Sequence, residues 1–253
     1  SLTKDDPHLI VVDLSRNFGH HKAMMTGLMH SRGESVFLID SDLEEQPEWL
    51  LEFNREMKRL VCDVVYGIQI RRKGRIIERW SGKLYYMLFN LLSGIQLPEN
   101  LVTARLMTRR YVNALILHQE REVTIAGLWQ ITGYTQYPHP VIKDSHSKTT
   151  YSSKKKIEHL ATSVTAFSNA PLVGIFYAGI TISMFAIAYI ICLVCYWVFF
   201  TTPLSGWTSV MASIWLLGGM IISFVGIVGI YVAKIFTETK QRPYTIVREV
   251  YGR

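Results

Sequence analysis

The stretch Phe37–Glu48, FLIDSDLEEQPE, decides how the amino-terminal half of the chain folds. Three apolar residues run into Asp40, and a second aspartate follows at Asp42. Pro47 then opens a helical pattern, QPEWLLEFNREMKRL, where its missing N–H costs nothing in a first turn. The segment reads as a buried strand that ends on carboxylates and turns into a helix. Alternate residues leaving a strand can bring two carboxylates near one point. Hard cations such as Mg²⁺ or Mn²⁺ are often held by one or two carboxylates together with substrate phosphates. An acidic surface turn shows the same letters, so the neighbouring segments must decide.

Working outward, HLIVVDLS (His8–Ser15) is a short run rich in valine and isoleucine, read as a strand. KAMMTGLMHSRG (Lys22–Gly33) reads as a helix closed by glycine, and CDVVYGIQI (Cys62–Ile70) as a third strand. Strands alternating with helices predict an α/β layer with a mainly parallel sheet. In such sheets ligands gather beyond the carboxyl ends of the strands, which is where Asp40 and Asp42 stand. Arg71–Gly94 begins basic, with Arg72 and Arg79, and becomes an amphipathic helix from about Glu78. Ala104–His118 is expected to be a helix with Leu106, Val112, Leu115 and Ile116 on an apolar side and Arg105 at its start. Ala126–Lys143 reads as a helix or turn leading into a strand. The adjacent pair His20-His21 is read as structural or exposed loop residues.

The charges are unevenly placed along the 253 residues, which carry a net charge of +7. Between Leu160 and Ala233 there is no Asp, Glu, Lys, Arg or His. A bilayer-spanning helix needs about 20 largely apolar residues, so this stretch has room for two. They are expected at about 172–199 and about 208–233, separated by TTPLSG (Thr201–Gly206). Aromatic residues in WVFF and at Trp207 suit the interfacial belts of a membrane. Lys154, Lys155 and Lys156 precede the pair, and Lys234, Lys240, Arg242 and Arg248 follow it. Positive flanks stay cytoplasmic, so both long ends are expected in the cytosol. Ile157, Leu160, Ala161, Val164 and Phe167 fall at helical intervals, predicting an interfacial amphipathic helix over 157–170. The basic balance suits anionic lipid headgroups, and no nucleic-acid-binding motif is visible. Cys192 and Cys195 form a C-x-x-C inside the first apolar helix, a poor place for redox or metal chemistry.

LSRNFGHHKAMMTGLMHSRGESVFLIDSDLEEQPEWL resembles the family 2 glycosyltransferases that act on polyprenyl phosphates. Further matches are RLMTRR, GLWQITGY, TTYSSKKK, FSNAPL and the apolar tail ending in AKIFTETKQRPY, so the resemblance covers essentially the whole chain. It implies a GT-A, Rossmann-like α/β domain over 1–156, followed by the interfacial helix, a two-helix transmembrane hairpin within 171–236 and a basic cytosolic tail over 237–253. It implies inverting transfer of a sugar from a UDP- or GDP-sugar to an undecaprenyl or dolichyl phosphate, with Mg²⁺ or Mn²⁺, at a plasma membrane, for cell-envelope glycans. Carried over by position, Asp40 would contact the nucleotide-sugar and Asp42 the metal and diphosphate, with Glu44 as a further metal neighbour. Arg16, Asn17 and Lys22 would lie near the nucleotide. Arg72, Arg79 and Arg105 would face the acceptor phosphate, and Tyr151 and Lys154 its membrane-side rim.

The departures from the pattern are equally specific. Relatives begin with an earlier strand and an Asp-Asp-x-Ser segment that holds the base, and neither is present, so the domain is expected to be amino-terminally incomplete. Where relatives have Asp-Phe before Arg-Leu-Met, this chain has Thr103-Ala104. Two other classes follow from these features: a non-catalytic membrane subunit of the same family, and a processive polysaccharide synthase. GLWQITGY lacks the Gln-x-x-Arg-Trp motif of the synthases.

Overall fold

The computed structural model describes residues 3, 6–70, 87, 89–93, 96–98, 100–120, 125–143, 164–165, 168–200 and 206–252. The chain forms two compact units, one of Ser1–Ala166 with Gln241–Arg253 and one of Phe167–Lys240.

In the first unit β1 (Val11–Leu14) is followed by α1 (His20–His30), β2 (Ser35–Leu38) and α2 (Trp49–Leu60). Next come β3 (Val64–Gln69), β4 (Leu101–Thr108), α3 (Arg109–Leu115), α4 (Ile125–Ile131) and β5 (Gln136–Val141). The main sheet has the order β2-β4-β3-β5. β4 runs antiparallel to both neighbours, and β3 and β5 are parallel. The sheet is therefore mixed, which corrects the mainly parallel sheet expected from strand–helix alternation. The two runs that looked like adjacent parallel strands, β2 and β3, are held apart by β4. β1 is not in this sheet at all; it pairs antiparallel with β6 (Val247–Tyr251).

The helix expected over Ala104–His118 is a second correction. Leu101–Thr108 is the β4 strand, and helix begins only at Arg109. Val102, Ala104 and Leu106 recur with the period of two of a strand, and both faces of β4 are covered. Val102, Ala104 and Leu106 join the core cluster with Trp49 and Phe53 of α2. Arg105 and Met107 are buried on the opposite face. Thr108 ends the strand and caps α3, its side-chain oxygen accepting from the Tyr111 N–H at 3.4 Å.

α2 shows why its sequence folds as it does. Trp49, Phe53 and Met57 recur at four-residue spacing and form its buried stripe. Complete burial of the Phe53 side chain is worth roughly 2–3 kcal/mol. Val61 closes the helix in the left-handed region at φ 49°.

In the second unit α5 (Ala170–Phe200) and α6 (Trp207–Thr239) are long helices. The Tyr231 hydroxyl of α6 donates to the Ser168 carbonyl just ahead of α5 at 2.8 Å. Among the described residues one segment, Leu216–Thr239, is long and apolar enough to cross a membrane. Ala170–Ile182 forms a shorter apolar stretch.

Residues 237–253, expected as a basic tail, continue α6 to Thr239 and then supply β6. The tail is stitched to the first unit. Thr26 and Thr245 hydroxyls meet at 2.8 Å, and Arg248 donates to Asp13 Oδ2 at 3.1 Å and to the Ser15 carbonyl at 2.8 Å. The basic group Arg71–Arg79, with Arg72 and Arg79, lies outside the described residues, as do Tyr151, Lys154 and most of the helix expected over 157–170.

Candidate functional site

The register of β2 on β4 places the site. Leu38 is paired with Arg105, so the chain leaving β2 brings Asp40 opposite Thr103. The Thr103 hydroxyl donates to Asp40 Oδ2 at 2.8 Å. The other Asp40 oxygen, Oδ1, stands 3.2 Å from His20 Nε2. Beneath them lies the buried carboxylate of Glu45. It accepts from the Asp40 N–H at 3.3 Å and from the Thr103 N–H at 2.9 Å, tying the turn to β4. Burial pushes the Glu45 carboxyl above its ordinary value, although these N–H donors and Lys143 oppose the shift.

The turn itself is tight. Leu43 adopts φ 61°, and Asp42 Oδ1 accepts from the Glu44 N–H at 3.0 Å. This leaves Asp42 half exposed while Glu44 is buried. Lys143, two residues past β5, extends its ammonium to Glu44 at 3.3 Å, Glu45 at 3.7 Å and Asp42 at 4.0 Å. Desolvation works to lower the Lys143 ammonium, but the three carboxylates outweigh it and hold it above the ordinary lysine value.

The structure thus brings Asp40, Asp42 and Glu44 to one corner. Arg16 and Asn17 lie between β1 and α1, and Lys22 lies in the first turn of α1. The Arg16 guanidinium stacks on Phe18 at 4.3 Å, Asn17 Oδ1 accepts from the Gly19 N–H at 2.8 Å, and the Lys22 ammonium lies 5.6 Å from the Tyr244 ring centroid. Phe18, Gly19, His20, His21 and Lys22 line an open cavity of about 240 Å³. His20, read from sequence as a loop residue, links this cavity to Asp40.

Arg105 is elsewhere. It is 1% exposed, stacked on Trp129 at 3.0 Å from the ring centroid, with Nε donating to the Thr103 carbonyl at 3.4 Å. Burial lowers its guanidinium to about 9 and raises the neighbouring Tyr111 hydroxyl to about 12. Arg105 therefore underpins Thr103 from inside the sheet and is not presented to an open surface.

Sequence reasoning missed Thr103, Glu45, Lys143 and His20. The signal for Thr103 was its departure from the family pattern, and its position opposite Asp40 needed the β2–β4 register. Among the described residues no group of three or more His, Cys, Asp or Glu side chains converges as a metal-binding set. The oxygens of Asp42 and Glu44 suit a hard cation only in the mode of one or two carboxylates completed by phosphate oxygens.

Residues 1–116 match the family model "Glycosyl transferase family 2". A Mycobacterium tuberculosis protein that carries a glycosyltransferase name is 50% identical over 252 residues, covering 100% of this chain and 74% of its own. The uncharacterised glycosyltransferase YkcC of Bacillus subtilis is 30% identical, covering 98% of this chain and 77% of its own. The bactoprenol glucosyl transferase of Shigella phage SfX is 28% identical, covering 98% of this chain and 82% of its own. With nearly its whole length aligned to these relatives, this chain is a member of the family 2 glycosyltransferases.

Proposed function

We propose that the protein transfers a sugar, with inversion, from a nucleotide-sugar to a polyprenyl phosphate at the cytosolic face of a membrane. The observation that carries the reading is the fixed pair at the end of β2: Asp40 is locked by Thr103 and Glu45, while Asp42 is left open beside it. The names of similar proteins from Shigella phage SfX and Shigella phage SfV supply bactoprenol as the acceptor class. The exposed α6 segment Leu216–Thr239, with none of its apolar window buried, suits a hydrocarbon solvent, and α5 with α6 would form the anchoring hairpin.

The acceptor makes modest demands on the protein. A phosphate monoester has its second pKa near about 6 by analogy with phosphorylated side chains, so it is largely dianionic at neutral pH. A strong general base is then unnecessary, and Thr103 in place of an aspartate is compatible with the chemistry. The work is to hold donor and acceptor in line and to balance the charge of the departing diphosphate. Asp40, oriented by Thr103 and His20, would hold the donor. Asp42, with Glu44, would hold a Mg²⁺ or Mn²⁺, which when bound supplies charge stabilisation to the diphosphate.

The test is an assay of membranes carrying the full-length protein, with polyprenyl phosphate and a panel of UDP- and GDP-sugars. We expect a lipid-linked sugar from at least one donor, lost on chelation and reduced about 100-fold or more by Asp42→Asn. No lipid product from any donor, with or without Mg²⁺ or Mn²⁺, would sink the reading.

A further inference from the structure

We infer that Lys143 is a built-in counter-cation, a positioning residue that holds Asp42 and Glu44 in place and yields them to a divalent cation. The inference rests on the reading of Asp42 and Glu44 as the metal-facing carboxylates. Its basis is the convergence of three carboxylates on one ammonium, at 3.3, 3.7 and 4.0 Å.

The three carboxylates are not equivalent. Glu45 is also held by the backbone N–H groups of Asp40 and Thr103, so its place does not depend on the ammonium. Asp42 has the longest contact and is half exposed, so the corner opens on its side. One ammonium among three carboxylates leaves the corner with excess negative charge, whether or not the buried Glu45 carries a proton. Such a corner attracts a further cation, and two cations sharing Asp42 and Glu44 repel each other. Lys143 stands just beyond β5, on a side chain with four rotatable bonds, and can withdraw without disturbing the sheet. An arginine would cling through a planar fork; a lysine is a point charge that can leave. Without a donor bound, the ammonium keeps the acidic turn from flying apart. When a divalent cation arrives with the diphosphate, Lys143 gives up Asp42 and Glu44 and keeps Glu45.

The experiment is a titration of the full-length protein in detergent with Mn²⁺ in the presence of saturating UDP, and separately of GDP, without sugar donor or acceptor. Lys143→Met should bind Mn²⁺ at least about tenfold more tightly than wild type, because the competing charge is gone. Lys143→Arg should bind no more tightly than wild type. Adding Asp42→Asn to Lys143→Met should abolish the gain. Equal or weaker Mn²⁺ binding by Lys143→Met, or no measurable binding by either protein, overturns the inference. A second measurement needs no variant: in the same nucleotide solutions, Mn²⁺ should speed labelling of Lys143 by an amine-reactive reagent, read by mass spectrometry. Labelling that slows or stays constant on Mn²⁺ addition also overturns it. The two readings fail separately. Tighter Mn²⁺ binding without sugar transfer would remove the proposed function alone, and sugar transfer without the Mn²⁺ effect would remove this inference alone.

Discussion

The Thr103 hydroxyl donates to Asp40 Oδ2 at 2.8 Å, across the gap between the end of β2 and β4. Asp40 is thus oriented by a residue sixty-three positions away in sequence. Thr103→Val keeps the shape and removes the donor. We expect the rate of sugar transfer to fall about tenfold, equivalent to ~1.4 kcal/mol of lost orientation, with Thr103→Ser close to wild type. Initial rates in membranes check this; a Thr103→Val enzyme as fast as wild type would show that the bond does not matter.

The legible part of this site was local. Three apolar residues running into Asp-x-Asp, with Pro47 opening the next helix, are enough to mark a strand end. The illegible part was everything that arrives from afar. β4 alternates at Val102, Ala104 and Leu106, but the helix starts at Arg109 directly after the strand, so strand and helix read as one element. Once β4 was misread, Thr103 and Arg105 could not be placed. Nothing in the local sequence sets Glu45 apart from its acidic neighbours, and the N–H groups of Asp40 and Thr103 make it a buried clamp. β1 carries no local mark of its partner, because that partner lies more than two hundred residues on.

Glu45 gives the stability of the first unit a pH dependence of definite sign. Its folded pKa is raised above the ordinary 4.5, so the native state holds this proton more strongly than the unfolded chain. Stability from this group is therefore greatest at low pH and declines as pH rises from 4.5 through the folded value. Glu45→Gln cannot titrate, so the wild-type curve should fall relative to the variant over that window. Melting temperatures of both proteins from pH 4 upward, in steps of about half a unit, measure it. Parallel curves would mean that Glu45 is not buried as described.

Gly67 sits on β3 between β4 and β5, and a methyl group there would run into Val102 and Val141 side chains. Gly67→Ala should destabilise the first unit by about 2 kcal/mol, the usual scale of overpacking in a closed core. Chemical denaturation followed by tryptophan fluorescence would detect this loss. No change in the midpoint would mean that the two valines can yield.

The segment 241–252 should matter to β1 far more than to the main sheet. Removing residues 241–253 takes away the only strand that pairs with β1 among the described residues, and with it the Arg248 bonds to Asp13 and Ser15. Amide hydrogen exchange at residues 11–15 should rise by at least about tenfold, with residues 101–108 unaffected. Uniform acceleration across both regions would show instead that the unit unfolds as a whole.

The β1–β6 pairing also fixes an order of events during synthesis. Val11–Leu14 is made early, yet its partner Val247–Tyr251 emerges only after α5 and α6 have been translated. For most of that time β1 lacks the partner strand it has among the described residues, and an open edge is a template for pairing with another chain. Both long helices are therefore made before the first unit can finish folding. The time taken to translate α5 and α6 is, in effect, a built-in delay on the completion of the first unit.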